Sequence, residues 1–102
     1  TLKPGMVISD EPAMYRTGEY GIRTENMILV REDSETEFGK FLGFDTLTLC
    51  FIDTSLIIIP MLSVREHAWL NKYHQMVYDK ISPFLNEEEK VYVADNKSNV
   101  RV

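Results

Sequence analysis

Along these 102 residues the spacing of apolar side chains changes once, and that change constrains the fold more than any other feature. In the first half, apolar residues come in short runs that alternate with polar ones, the period-two pattern of half-buried strands. From Ser63 onward they return every third or fourth residue, the spacing of a helix with one apolar face. No single kind of element satisfies both patterns. The expected class is therefore α+β, an antiparallel sheet followed by C-terminal helices.

Pro4-Gly5 marks a turn, residues 6–11 read as a short strand, and Pro12 stops it because proline cannot donate to a ladder. Residues 12–21, with Gly18 and Gly21, read as a connection. Residues 22–30 form a second, stronger strand, with Arg23, Glu25, Met27 and Leu29 on one face. Two strands joined in this way imply an antiparallel pair. Residues 31–43 are polar and read as a loop, residues 44–52 as a third strand, and residues 56–59 as a short buried strand or extended segment ended by Pro60. Ser63-Val64-Arg65-Glu66 has the form of a capping box. Trp69, Leu70, Tyr73, Met76 and Val77 extend it into a helix of about five turns, which Ser82-Pro83 ends. Asn86 caps a further helix, with Glu87, Glu88 and Glu89 where carboxylates suit the positive helix end. The tail beyond Asp95 is polar and is expected to fray.

Hydrophobic residues at 44% and charged residues at 26% are ordinary globular usage, which excludes a wholly disordered chain. Sixteen acidic against eleven basic residues leave a net charge of −5, spread along the chain. Nucleic-acid and membrane-surface partners need concentrated positive charge, so neither is expected. The longest apolar run, residues 56–62, falls far short of the roughly 20 residues that span a bilayer. One cysteine, Cys50, excludes an internal disulfide and a cysteine-rich zinc site, and reads as a small buried apolar residue. This usage is compatible with a cytosolic location. The chain opens Thr1-Leu2-Lys3-Pro4-Gly5 without an initiator methionine, and is expected to be a piece of a longer protein.

Glu11 and Glu25 stand at or within apolar strands, where ionised carboxylates are disfavoured unless paired or bound to metal. Carboxylates presented from neighbouring strands can clamp a divalent cation, and one glutamate can bridge two. Arg23, two residues before Glu25 on the same face, can hold that carboxylate or orient a substrate carboxylate. On spacing alone such a pair is more often edge charges or salt-bridge partners than a metal clamp.

The residues around the pair carry more. Leu2-Lys3-Pro4-Gly5-Met6-Val7, then Asp10-Glu11-Pro12, then Gly21-Ile22-Arg23-Thr24-Glu25-Asn26 resemble the end of the catalytic domain of Xaa-Pro aminopeptidases, in the pita-bread metallopeptidase family. Phe44-Asp45-Thr46-Leu47-Thr48-Leu49 and Trp69-Leu70-Asn71-Lys72-Tyr73-His74 resemble later segments of the long-form enzymes. The resemblance implies residues 1–52 as the end of the catalytic domain and residues 53–102 as a C-terminal helical extension. It implies two divalent ions, manganese by family habit, held by two aspartates, a histidine and two glutamates. Glu11 then matches a metal ligand with a proton-transfer role, Glu25 the glutamate bridging both metals, and Arg23 the arginine supporting it. The implied substrate is a peptide with proline second, the implied setting a cytoplasmic homodimer.

Ala13 departs from the family's glycine, Asp45 from its glutamate, and Phe51 from a common proline. The aspartates and histidines of the family's site have no match in this chain, so the chain alone is expected to bind metal weakly and to lack peptidase activity. A prolidase-like dipeptidase and a non-catalytic peptide- or protein-binding module are the alternatives. His67 and His74 are read as packing or surface residues, and Tyr15 and Tyr20 lie where they can line a cleft.

Overall fold

The structure, a computed structural model, describes residues 1–97, with side chains through Asp95. Five strands precede the helices: β1 (Val7–Asp10), β2 (Ala13–Arg16), β3 (Tyr20–Arg23), β4 (Asn26–Thr36) and β5 (Gly39–Thr46). Two 3-10 turns, Thr54–Leu56 and Ile59–Met61, lead into α1 (Val64–Ile81); a third turn, Ser82–Phe84, precedes α2 (Glu87–Lys97). The order is the antiparallel-strands-then-helices architecture expected for the α+β class. The chain divides into two compact units, Thr1–Thr48 and the residues from Leu49 onward.

In the first unit β4 is the central strand, pairing antiparallel with β1 on one side and β5 on the other. Its Val30 is 1% exposed, the best-buried side chain of the sheet. The stretch expected as a connection between the first two strands is itself a hairpin, β2 against β3, closed over Thr17–Glu19. Gly18 turns it with φ of +73°, a conformation that a side chain would oppose. The polar stretch expected as a loop is a second hairpin: β4 runs on to Thr36 and β5 returns from Gly39, with a register shift between Glu32 and Ser34. Both misreadings have one cause. These strands are exposed on both faces, so no apolar alternation marks them, and the shift at Asp33 interrupts what period there is.

The third strand is shorter than expected, ending at Thr46, and residues 56–59 form no strand and are not buried. Leu56 is 73% and Ile58 66% exposed. Pro60, within the second 3-10 turn, favours that tight geometry over a ladder. Cys50 is exposed rather than buried, its thiol directed to the Phe51 carbonyl at 3.6 Å. Ala13, despite replacing glycine, takes an ordinary strand conformation; no described residue other than glycine has positive φ.

The second unit is organised by α1. Ser63 accepts from the Glu66 amide at 3.3 Å while the Glu66 carboxylate accepts from the Ser63 amide at 2.7 Å, the complete capping box. His67, Leu70, Tyr73, His74 and Val77 form its buried stripe. Of the expected stripe Leu70, Tyr73 and Val77 are interior, whereas Trp69 is half exposed and stacks on Tyr73 with ring centres 5.3 Å apart. Asn86 and Glu89 repeat the reciprocal cap at α2, with both bonds at 2.9 Å. Helix α2 reaches Lys97, two residues past Asp95, where the tail is expected to fray; the rest of that tail lies outside the described residues.

Val77 is fully buried, so Val77→Ala in the intact protein should lower stability by roughly 2 kcal/mol, read as a fall in the urea midpoint at unchanged slope. The Ser63 amide and hydroxyl hold the Glu66 carboxyl below its ordinary pKa of 4.5. This bond therefore contributes above that value and is lost as pH falls through the lowered one. Acid should loosen the first turn of α1, seen as faster hydrogen exchange at the Glu66 amide, and Glu66→Gln should make that turn insensitive to pH.

Candidate metal centre

Two separate ladders position the carboxylates. In the first, β1 against β4, the last pair is Asp10 with Asn26; in the second, β2 against β3, the first pair is Ala13 with Arg23. The ladders share one register. Continuing the count across the gap sets Glu11 opposite Glu25 and Pro12 opposite Thr24. The four strands are thus one long hairpin, interrupted where the two glutamates face each other. Pro12 has no N–H to give, and the Thr24 amide reaching the Pro12 carbonyl at 3.3 Å is the bond that spans the gap.

Residues directly opposite in an antiparallel pair, and those two positions along, share a face. Glu11 and Glu25 therefore lie on the same side as the pair Ala13–Arg23 and the pair Tyr15–Gly21. The side chains follow this rule. Arg23 Nε meets Glu25 Oε2 at 3.2 Å, both groups being partly exposed. The Arg23 guanidinium also donates to the Tyr15 hydroxyl; that bond, then the Glu25 charge, holds its pKa above the ordinary arginine value, with Glu11 adding to the field. Tyr15, Arg23, Glu25 and Glu11 are one electrostatic group. The ring of Tyr15 reaches Arg23 by crossing Gly21, where a Cβ would stand only 2.7 Å from its Cδ1.

Of the residues singled out in the sequence, Glu11, Glu25 and Arg23 are brought together. Tyr15 has a larger part than a cleft lining implies: it is the hydrogen-bond partner of Arg23. The signal for it was the period-two step Tyr15, Ala13, Glu11, hidden because residues 12–21 read as a loop. Tyr20 does something else, lying under the Arg16 guanidinium at 5.7 Å on the far end of the hairpin. His67 and His74 belong to the helical unit. Among the described residues, no three of histidine, cysteine, aspartate and glutamate gather closely enough to hold a metal ion. Two facing carboxylates offer hard oxygen donors suited to a divalent cation, one of them already oriented by an arginine. They fit part of a metal site.

Residues 1–32 match metallopeptidase family M24 and residues 40–96 match the C-terminal region of peptidase M24. The chain belongs to this family of metallopeptidases. It is 44% identical over 92 residues to a probable Xaa-Pro aminopeptidase P of Coprinopsis cinerea, a match covering 87% of this chain and 15% of that protein. It is likewise 44% identical over 88 residues to aminopeptidase P2 of Arabidopsis thaliana, covering 82% of this chain and 12% of that one. An X-prolyl aminopeptidase of Caenorhabditis elegans, described as a cytosolic enzyme with a dinuclear active site, superposes with a TM-score of 0.77 at 30% identity. That match covers 98% of this chain and 17% of the nematode enzyme. The chain therefore spans about a sixth or less of its relatives' length.

Gly21→Ala should push the Tyr15 ring aside and break its bond to Arg23 while the hairpin persists, because the ring is exposed and free to move. A crystal structure of the intact variant is the check. Finding Tyr15 still on Arg23 would show that the close approach over Gly21 does not set the ring's position.

Proposed function

We propose that the protein to which this chain belongs is a dinuclear-metal aminopeptidase that removes the N-terminal residue from peptides with proline in second place. The observation that carries the reading is the facing of Glu11 and Glu25 across a shared register, with Arg23 and Tyr15 beside them. The family and its Xaa-Pro aminopeptidase relatives support it.

Glu11 and Glu25 are metal ligands in this proposal, and the remaining donors come from elsewhere in the protein. Two divalent ions held there supply Lewis acidity and an activated water. Manganese is the metal the family resemblance implies, and carboxylate oxygen donors are compatible with it as with other hard divalent ions. Glu25 would be the glutamate shared by the two ions, and its ion pair with Arg23 would hold its carboxylate in place. Tyr15 in turn keeps the guanidinium from swinging into solvent. Glu11 takes the proton of the attacking water on a carboxylate oxygen and passes it to the departing proline nitrogen.

In this proposal residues 1–52 belong to the end of the catalytic domain and residues 53–102 to its C-terminal extension. That extension leaves Leu56, Met61 and Val64 largely exposed, which supports its use in a homodimer, and the cytosolic description of the nematode relative supports a cytoplasmic setting. The sheet likewise leaves Val7, Met14 and Ile22 about half exposed, as expected where more of the protein covers it. With two donors only, the isolated chain holds metal weakly and cleaves no peptide.

Glu25→Gln in the intact protein should remove both metal occupancy and cleavage of an Xaa-Pro peptide. Metal content by plasma emission and turnover on a proline-second peptide are the two measurements. Full activity with full metal content would exclude the bridging role.

A further inference from the structure

Residues 50–59 run beside α1 with no ladder of their own, and α1 holds them by three side chains. The Tyr73 hydroxyl donates to the Cys50 carbonyl at 2.9 Å. His67 Nε2 lies 3.2 Å from the Ile59 carbonyl, which can only accept, so that nitrogen carries the proton. His74 does the opposite. Its Nε2 receives the Ile52 amide N–H at 3.2 Å, so that nitrogen must be bare and the ring neutral, with its proton on Nδ1. The ring is fully buried, edge-on to Phe51 at 5.1 Å, and its Nδ1 has no partner among the described residues.

We propose that His74 is a proton-sensitive latch: neutral, it holds the segment at Ile52 against α1; protonated, it releases that segment. A proton on Nε2 turns the acceptor into a donor aimed at another donor, and it places a charge where no counter-charge waits. The groups around it are accounted for. On the segment, Asp53 is turned to the Ser55 amide at 2.9 Å and the Cys50 thiol to the Phe51 carbonyl. On α1, the Tyr73 hydroxyl is spent on Cys50. From α2, none of Glu87, Glu88, Glu89, Lys90 or Asp95 acts on the ring; burial, with the Ile52 amide, is what bears on it. Burial lowers its pKa below the ordinary value, so the closed form dominates above about 6.5 and loses ground as pH falls.

Hydrogen exchange at the Ile52 amide in the intact protein is the test, with rates corrected for intrinsic pH dependence. Protection should fall once pH drops below roughly 6.5, by at most about tenfold for each pH unit, and level off at the lowered pKa of the held ring. His74→Gln places an untitratable acceptor at the same reach and should keep Ile52 protected at both pH 7.5 and pH 5.0, each a chosen buffer. His74→Phe keeps the volume without the acceptor and should leave Ile52 unprotected at both. Protection in the parent protein that does not change with acid, or an acid response that survives in His74→Gln, would overturn the latch.

Discussion

The antiparallel pairing of β1 with β4 is the constraint on which the candidate site depends. Its register is specified by burial: Val30 must point inward, and a slip of one residue would turn it to solvent together with every neighbour on its face. Once Val7 is opposite Leu29, Glu11 has no choice but to come opposite Glu25. Neither glutamate needs a contact of its own to reach that position. A chemically expensive arrangement, two carboxylates face to face, is thus held by apolar burial and backbone bonds some residues away.

The break between the two ladders serves the same end. Pro12 lacks the donor that would continue the pairing, so the strands part at the glutamates and resume at Ala13. A continuous ladder would place these side chains in a regular pleat; the gap leaves their backbone less constrained while the flanking ladders keep them opposed. Arg23 and Tyr15 then line up on the same face by the same alternation.

In the helical unit the controlling residues are polar. Three side chains of α1 bind backbone groups of a segment that has no ladder and only two short 3-10 turns, which answers where several of its backbone polar groups go. The same side chains form much of the buried stripe, so packing and hydrogen bonding are not separable there. Two of the three are histidines with opposite roles, one donating and one accepting.

The sequence by itself determined the class, the helix starts, the end of α1 and the three charged residues of the candidate site. Each is a local matter: a capping box, a proline, an apolar period, or a short run of characteristic residues around a glutamate. It did not reveal that residues 12–21 and 31–43 are hairpins, because strands wet on both faces carry no alternation to read. Nor did it reveal that Tyr15 belongs with Arg23, that Cys50 is exposed, or that residues 56–59 turn rather than extend. Those outcomes depend on which backbone groups find partners far along the chain. Only the tertiary structure decides that, since a hydrogen bond between His74 and Ile52, or a shared register across Pro12, leaves no mark on the residues between.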